Sequence, residues 1–292
     1  MELNGLHHVT AVTARASENL KYYTETLGLR LVKKTVNQDD VSAYHLFYAD
    51  AEGRPGTEVT FFDWADSTAN RAGTREISQI GLRVANRDAL AWWKDRLGGR
   101  LTSIAGRDVL TFTDPEGQRL ALFDGGDEQT TNESAIQGLG PVTLVVEEAE
   151  STASVLTGVM GFRVVAREGS LVVFRSGMGE VHVEERPDLR AARPGAGGVH
   201  HVAFRTPNAQ EQLAWQSKLH ASGVPTSGVI DRYYFKSLYF REPNGILFEI
   251  ATDGPGFAID ESLATMGQRL SLPPFLEPRR AAIEAGLRPL AV

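Results

Sequence analysis

The chain has 292 residues, of which 42% are hydrophobic and 23% charged, and this length is enough for two units that each bury a core. Its formal net charge is −7, its isoelectric point is near 5.6 and it has no dense Lys/Arg cluster, so nucleic acid is not an expected partner. It contains no cysteine, which excludes disulfides, thiolate ligands and thiol nucleophiles and leaves nitrogen and oxygen to bind any metal.

The predicted elements repeat four times along the chain, and each copy is a strand, a helix that ends at a glycine, and three more strands. The leading strands are apolar or alternate with period two, and we predict them at 8–13, 79–84, 141–146 and 201–206. The helices end at glycines suited to the left-handed C-terminal position, namely Gly28, Gly98, Gly161 and Gly223. The closing strands are TEVTFFD, QRLALFD, EVHVEE and ILFEIAT. This order predicts an α+β fold in which four βαβββ modules pair into curved mixed β-sheets with the helices outside.

The modules suggest a division of the chain into two halves and a tail. We predict an N-terminal half with modules one and two (1–132), a C-terminal half with modules three and four (133–252), and a tail (253–292) that packs near the site. No apolar run of 18 residues occurs, and the N-terminus lacks a basic segment followed by a long apolar one. A cytoplasmic protein without a membrane partner is therefore expected. The sequence leaves the oligomeric state open, a homo-oligomer included.

Two His-His pairs each open a leading strand. His7-His8 begins HHVTAV in module one, and His200-His201 begins HHVAFR in module four. Glu249 lies in the last closing strand, within GILFEIAT. Two imidazoles and one carboxylate can hold a divalent metal on one face and leave the opposite face open for substrate and dioxygen.

Comparison of the repeats indicates that the fold itself does not require these ligands. Alignment of the leading strands places one residue of each module at the same position, namely His8, Gln79, Pro141 and His201. The turns before the closing strands contain Gly56, Gly117, Gly179 and Gly245. Four residues past these glycines, the matching positions of the closing strands are Thr60, Ala121, Val183 and Glu249. Only module four offers a carboxylate there, and a buried carboxylate is costly unless a cation compensates it. We therefore predict a metal bound by His8, His201 and Glu249.

Side-chain alternation along the strands supports the same site. It places four polar residues on the concave face of the sheet, namely His8, Thr10, His201 and Glu249. The same alternation places His7 and His200 on the opposite face of the sheet. A role for these two at the site therefore requires a twist or bulge where their strands begin.

The modules, the ligand positions and three segments resemble the vicinal oxygen chelate superfamily, and in particular its ring-cleaving dioxygenase branch, which includes the hydroquinone dioxygenases. The segments are LGLRLVKKTVNQDD, YHLFYAD and DRYYFKSLYFREPNGILFEIATD. The resemblance implies a non-haem metal, Fe(II) first and Mn(II) second, bound by His8, His201 and Glu249. The sequence departs from the ordinary catechol-cleaving members, which take both histidines from the second half of the chain, because module three offers Pro141 and the first histidine comes from module one.

The resemblance also implies contacts to substrate or to the metal ligands from five residues at matching motif positions, namely His7, Thr10, His200, Arg232 and Tyr239. Arg232 is a fixed cation that can orient a substrate oxyanion, and Tyr239 can donate a hydrogen bond to substrate or to bound oxygen. His200 or His7 can move the proton, since imidazole titrates near neutrality, and the sequence does not choose between them.

Simpler interpretations exist for several of these residues. Thr10 is also an ordinary β-forming residue, Arg232 could pair with Asp231 at the surface, and Tyr239 could be a core aromatic. His45 in YHLFY could line the pocket, and a structural role is favoured. His182 and His220 are predicted to be surface residues.

The expected function is a ring-cleaving dioxygenase that takes a small aromatic diol and O2, and two other classes remain open. A glyoxalase-type isomerase or lyase on this scaffold usually has a second carboxylate or equivalent fourth protein ligand, and Thr60 stands at that position. A binding protein of the same fold would need no metal, and the His8, His201 and Glu249 set disfavours it. The sequence does not reveal the ring substituents or whether the two hydroxyls are ortho or para.

Overall fold

The computed structural model describes residues 1–126, 132 and 134–291, and it contains the four predicted modules in order. Module one comprises β1 (Leu6–Thr13), α1 (Ala16–Lys21, continued by a π-helical segment over Tyr22–Thr26), β2 (Arg30–Val36), β3 (Tyr44–Ala49) and β4 (Glu58–Asp63). Module two comprises β5 (Glu76–Arg83), α2 (Arg87–Leu97), β6 (Arg100–Ile104), β7 (Arg107–Thr113) and β8 (Arg119–Phe123).

Modules three and four follow the same order. Module three comprises β9 (Leu139–Val146), α3 (Ala149–Ser154, continued by a π-helical segment over Val155–Val159), β10 (Arg163–Glu168), β11 (Leu171–Ser176) and β12 (Gly179–Glu185). Module four comprises β13 (Val199–Thr206), α4 (Ala209–Ala221), β14 (Thr226–Asp231), β15 (Lys236–Arg241) and β16 (Leu247–Thr252). All four predicted helix-ending glycines have positive φ, with values of 71°, 66°, 80° and 74°. The predicted α+β fold of four βαβββ modules is thus confirmed.

The modules pair into two mixed eight-stranded sheets. Sheet one has the order β14-β15-β16-β13-β1-β4-β3-β2 and combines modules four and one. Sheet two has the order β10-β11-β12-β9-β5-β8-β7-β6 and combines modules three and two. The leading strands meet at the centre of each sheet, because β1 pairs antiparallel with β13 and β5 pairs antiparallel with β9. Each sheet therefore curls into a cup whose middle is built from two modules distant in sequence.

The predicted boundary between residues 132 and 133 falls beside residues 127–131 and 133, which lie outside the described part of the chain. The division into halves stays a prediction. It describes the order of the modules along the chain, whereas each sheet combines one module from each half. Within the described residues, no helix is both long and apolar enough to cross a bilayer. The cytoplasmic location stays a prediction as well.

Strand alternation separates the core from the cup. In sheet one, the side chains that belong to the main hydrophobic core include Val9, Ala11, Val202, Phe204, Phe248 and Ile250, all fully buried. Their neighbours along the strands face the cup, as the period of two requires. This placement puts His8, Thr10, His201 and Glu249 in the cup, and none of them is more than 3% exposed.

The strand registers correct one predicted equivalence. The parallel pairs of leading and closing strands align Thr10 with Thr60, Gly81 with Ala121, Thr143 with His182 and Ala203 with Glu249. The residue of module three that matches Glu249 is therefore His182, and the assignment of Val183 was wrong. The count failed because Gly179 is the first residue of β12, whereas the turn glycines of the other modules lie two residues ahead of their closing strands. His182 is also fully buried, so its predicted surface position was wrong, whereas His220 is exposed.

The tail contains 3₁₀ segments at Phe257–Ile259 and Glu277–Arg279 and the helix α5 (Arg280–Gly286). It is anchored to sheet one by the buried Lys33, whose Nζ lies 2.6 Å from Asp260 Oδ1 and also contacts Glu261. Phe257 packs against Phe47 with ring centroids 5.0 Å apart. The first part of the tail therefore covers one wall of the cup of sheet one.

Candidate metal centre and active site

Three side chains converge at the centre of the cup of sheet one. His8 Nε2 lies 3.3 Å and His201 Nε2 lies 3.0 Å from Glu249 Oε2, and the two Nε2 atoms are 3.2 Å apart. The ligand atoms come from β1, β13 and β16, which are neighbouring strands of one sheet. The residues predicted as a metal set from the sequence are thus brought together in space.

The spacing fits a divalent ion. Ligand atoms at about 2.1 Å from a metal and at right angles to one another lie about 3.0 Å apart. The three observed distances of 3.0, 3.2 and 3.3 Å match one face of an octahedron. Glu249 is fully buried, its Oε1 has no hydrogen-bond partner, and its Oε2 faces the two imidazole Nε2 atoms. Such a carboxylate needs a compensating cation, so the residues fit an N,N,O metal centre.

Two of the three side chains, Glu249 and His201, have the charge that a metal requires. Burial raises the pKa of Glu249, but His8 and His201 lower it further, so its pKa lies well below the usual value. Burial lowers the pKa of His201 despite the opposite influence of Glu249. At neutral pH the site therefore offers an ionised carboxylate and a neutral imidazole, which are the ligating forms.

Each ligand histidine is supported by the histidine that precedes it. His7 Nδ1 lies 2.9 Å from His8 Nδ1, and His200 Nδ1 lies 2.7 Å from His201 Nδ1. A metal bound at Nε2 leaves the proton on Nδ1 of the ligand, so His201 can donate to His200. His8 can donate to His7 when His7 is neutral and its Nε2–H donates to the Thr252 carbonyl oxygen. Hydrogen bonds of this kind fix the orientation of the ligand ring.

A distortion of β1 allows His7 and His8 to act together. The pairing of β1 with β13 is irregular between Leu6 and Val9, which is the bulge that the sequence argument required. His7 is buried, its Nε2 lies 3.2 Å from the Thr252 carbonyl oxygen, and its Nδ1 lies 3.2 Å from Glu58 Oε2. Burial lowers the pKa of His7, but Glu58 raises it more, so its pKa lies above the usual value.

A narrow cavity of about 40 Å³ opens beside His8 and His201. The walls of this cavity carry both polar and aromatic groups, among them His45, Phe47, Phe62, Arg232, Phe235 and Tyr239. Forty cubic ångströms is room for a few water molecules, whereas a cavity known to bind benzene measures about 150 Å³. An aromatic substrate therefore needs wall residues to move outwards.

Arg232 and Tyr239 form one wall of this cavity. Arg232 makes a bidentate pair with Asp39, with N to O distances of 2.7 and 3.0 Å, and its guanidinium carbon lies 5.7 Å from the centre of the Tyr239 ring. The Arg232 side chain is 17% exposed and that of Asp39 is 72% exposed. Asp231 instead accepts the Tyr233 backbone N–H at 2.8 Å, so the simpler pairing with Asp231 is wrong. Tyr239 pairs directly across from Glu249 in the sheet, and burial raises its pKa, which keeps its hydroxyl protonated.

Thr10 lies behind the ligands rather than at the cavity wall. Its hydroxyl is 2.7 Å from that of Thr60, and Thr60 Oγ1 lies 2.9 Å from His45 Nε2. His45 lines the cavity, and burial lowers its pKa well below the usual value, so its ring is neutral. From the sequence, a structural role for His45 is favoured over a place at the pocket, and its contact with Thr60 is not predicted. The only available signal was the period-two position of His45 in YHLFY.

Sequence reasoning also missed the groups that support the site from neighbouring strands and loops, namely Asp39, Glu58, Phe235 and Thr252. Glu58 stands at the start of β4 directly beside His8 in the parallel register. Phe235 packs against the rings of both His7 and His8, with centroids 5.1 Å away in each case. No motif in the sequence marks these contacts, because they join segments that are far apart along the chain.

Comparisons with known proteins agree with this architecture. MhqA of Bacillus subtilis (strain 168), whose name describes a ring-cleaving dioxygenase, is 48% identical over 99% of this chain and 100% of its own length. The chlorohydroquinone/hydroquinone 1,2-dioxygenase of Sphingobium indicum is 30% identical over 94% of this chain and 93% of its own. A crystal structure described as that of a dioxygenase from Bacillus subtilis subsp. subtilis str. 168 has a TM-score of 0.94 at 38% identity, covering 100% of this chain and 98% of its own.

More distant structures share the fold alone. Glyoxalase I from Zea mays has a TM-score of 0.62 at 17% identity, covering 85% of this chain and 92% of its own. The family described as the Glyoxalase/Bleomycin resistance protein/Dioxygenase superfamily matches residues 5–122 and 138–250, which include all four modules. The matched segments contain the leading strands and the convergent His8, His201 and Glu249. The chain therefore belongs to the Glyoxalase/Bleomycin resistance protein/Dioxygenase superfamily.

Proposed function

We propose that this protein is a metal-dependent ring-cleaving dioxygenase that inserts both atoms of O2 into a dihydroxylated aromatic ring of the hydroquinone type. The observation that carries the proposal is the His8, His201 and Glu249 triad, with spacings of 3.0 to 3.3 Å, beside a cavity walled by Arg232 and Tyr239. The names of the relatives at 48% and 30% identity support the same reaction class.

His8, His201 and Glu249 would hold the metal, and we propose Fe(II) as the resident ion with Mn(II) as the alternative. When bound, such an ion supplies adjacent sites for a diol oxygen and for dioxygen and passes electron density from the ring to the oxygen. The protein contributes a neutral nitrogen and carboxylate ligand set without sulfur, since the chain has no cysteine. Softer, thiolate-preferring metals are disfavoured by these ligands.

Arg232 and Tyr239 are proposed to orient the substrate. A fixed guanidinium at the wall stabilises a hydroxyl group that has lost its proton, and this effect is strengthened because the cavity is narrow, about 40 Å³, and largely enclosed by aromatic side chains. The Tyr239 hydroxyl, which stays protonated, can donate a hydrogen bond to a substrate oxygen. Phe62 and Phe235 add apolar surface that can pack on the faces of an aromatic ring.

The histidines divide into two proposed roles. His7 and His200 contact the Nδ1 atoms of the ligands, so we assign them to positioning His8 and His201. Among the described residues that line the cavity, His45 is the histidine that is not a ligand. Its neutral ring can accept a proton from the substrate and share it with Thr60, whose hydroxyl lies 2.9 Å away.

The two alternative classes are less well supported. A glyoxalase-type isomerase would use a further carboxylate where Thr60 lies, and Thr60 is instead hydrogen-bonded to Thr10 and His45. A binder without metal would leave a fully buried carboxylate whose Oε1 has no hydrogen-bond partner and whose Oε2 faces the two imidazole Nε2 atoms, which is costly.

The test combines metal analysis with oxygen uptake. Protein reconstituted anaerobically with Fe(II) or Mn(II) is expected to consume one O2 for each hydroquinone and to add both oxygen atoms to the product mass. Metal with thiol-aldehyde turnover but no oxygen uptake would favour the isomerase, and absence of metal binding would favour the binder. His45→Asn is expected to retain metal and to change the pH profile of kcat. His220→Asn, at an exposed histidine, is the matched control.

A further inference from the structure

The cup of sheet two contains a second cavity, of about 790 Å³, which shares no lining residue with the metal centre. Pro141, which is equivalent to His201, lies in its wall. The described lining residues include four arginines and two acidic residues, in a chain whose formal net charge is −7. This wall is therefore positively charged although the protein is acidic.

Two arginines and one histidine in this cup converge on the carboxylate of Glu180. Glu180 Oε2 lies 3.1 Å from Arg175 Nε and 2.7 Å from its Nη2, Glu180 Oε1 lies 2.6 Å from His182 Nε2, and Arg107 also contacts Glu180. Burial raises the pKa of Glu180, but His182, Arg175 and Arg107 lower it more, to about 2. One ionised carboxylate compensates one of the two guanidinium charges, so the cluster keeps an excess positive charge.

Arg83 adds a cation without a counter-charge. It ends β5 on the same wall, is half-buried, and its Nε is buried without a hydrogen-bond partner. No carboxylate in the described part of the chain forms an ion pair with it, and burial lowers the pKa of its guanidinium. A partly buried and unpaired charge is costly to the fold, so its presence calls for a compensating group.

We propose that this second cavity binds a small oxyanion, a carboxylate or a phosphate, with Arg83 as the principal contact. The guanidinium of Arg83 has a buried Nε without a hydrogen-bond partner, and the planar fork of a guanidinium matches the two oxygens of a carboxylate or phosphate. Arg107 and Arg175 are held in place by Glu180 and add positive charge. Phe123, under the Arg107 guanidinium at 5.2 Å, supplies an apolar wall for an organic anion. This site is independent of the dioxygenase proposal.

The experiment measures anion binding to the full-length, metal-loaded protein at a fixed, near-physiological NaCl concentration. Inorganic phosphate and muconate, an unsaturated dicarboxylate, are titrated separately by calorimetry and by thermal unfolding, so the two arms separate the two sources of oxyanion. Wild-type protein is expected to bind at least one of them. Arg83→Gln should weaken that binding by roughly tenfold to a hundredfold, the loss expected for a charged hydrogen bond, and leave oxygen uptake unchanged. Arg83→Lys should retain part of the affinity.

Two control variants locate the anion. Arg232→Gln alters the metal-centre cavity only and should leave the affinity unchanged. Arg87→Gln removes a lining arginine that is 78% exposed and already paired with Asp108, so it should weaken binding less than Arg83→Gln does. Without anion, Arg83→Gln should melt at the same temperature as wild type or higher, because an unpaired charge is removed. The proposal is overturned if neither probe binds wild type, if Arg83→Gln binds as well as wild type, or if binding is lost in Arg232→Gln instead. A lower melting temperature of anion-free Arg83→Gln would assign Arg83 a structural role and also overturn it.

Discussion

Replacement of Arg232 by glutamine separates substrate binding from metal binding and from stability. The bidentate pair with Asp39 is weak in stability terms, because Asp39 is 72% exposed and is readily hydrated when its partner is removed. The free energy of unfolding should therefore fall by less than about 1 kcal/mol. A charged hydrogen bond from Arg232 to a substrate oxyanion is worth about 1.5–3 kcal/mol. Arg232→Gln should accordingly lower kcat/KM by roughly 10- to 150-fold.

The assay has three readouts on the same preparation. Oxygen uptake with hydroquinone gives kcat/KM, elemental analysis gives the metal content, and urea unfolding gives stability. The matched control is Arg186→Gln, which removes another bidentate pair, with N to O distances of 2.8 Å to an exposed Asp188, from a part of module three outside the cavity. If Arg232→Gln loses metal, or if its kcat/KM equals that of the control, the assignment of Arg232 to the substrate is refuted.

Three further perturbations test other parts of the structure. Glu249→Gln keeps the side-chain volume but removes the anionic ligand, so metal content and oxygen uptake should both be abolished, and stoichiometric metal would contradict the site. Lys33→Met leaves Asp260 and Glu261 without their buried cation, so urea unfolding should show a loss of about 3–5 kcal/mol. The pKa of Glu180 is lowered from 4.5 to about 2, so its contribution, at most about 3 kcal/mol, is present above pH 4.5 and lost as pH falls towards 2. Urea midpoints of wild type and Glu180→Gln should therefore differ at pH 6 and approach each other in acid, and a constant difference would contradict the ion cluster.

The fold was predictable because each module repeats two sequence patterns, the alternation of apolar residues in strands and a glycine at the end of the helix, and each pattern has a direct physical cause. Alternating apolar residues specify the strand faces, and the helix-ending glycines are required by backbone conformations with positive φ, such as the 71° of Gly28 and the 80° of Gly161. The predicted leading strands start two or three residues late in each module, as at Leu6 and Glu76. Strand ends are set by tertiary pairing that a local pattern does not contain.

The candidate site was predictable only in part. The equivalence of His8 and His201, and the carboxylate at Glu249, follow from comparison of the repeats because the scaffold places other residue types there. The support from Glu58 and the pairing of Arg232 with Asp39 join distant segments through sheet register and loop geometry. A single sequence contains no local signal for such contacts.

The assignment of His182 shows how a one-residue difference in a turn changes the chemical interpretation of a strand. Counting from a turn glycine holds only when that glycine lies at the same distance from the strand, and Gly179 is already part of β12. A shift by one residue moves every side chain to the opposite face of the sheet. His182 therefore changes from a surface residue to a buried partner of Glu180, and Val183 moves into the core.

The two cups solve the problem of a buried carboxylate in two ways and at different strand positions, because Glu249 aligns with His182, whereas Glu180 lies two residues earlier in β12. In sheet one, Glu249 faces two imidazoles whose Nε2 atoms can also act as ligands, so the compensating charge can come from an ion between them. In sheet two, Glu180 is compensated by the side chains of Arg175 and Arg107, whose fixed positive charges repel a divalent cation. Gln79 and Pro141, at the positions of the two ligand histidines, offer no imidazole. Arg175 and Arg107 thus disfavour a metal ion in the second cup and favour an anion there. The modules have diverged so that the first cup is suited to a cation and the second to an anion.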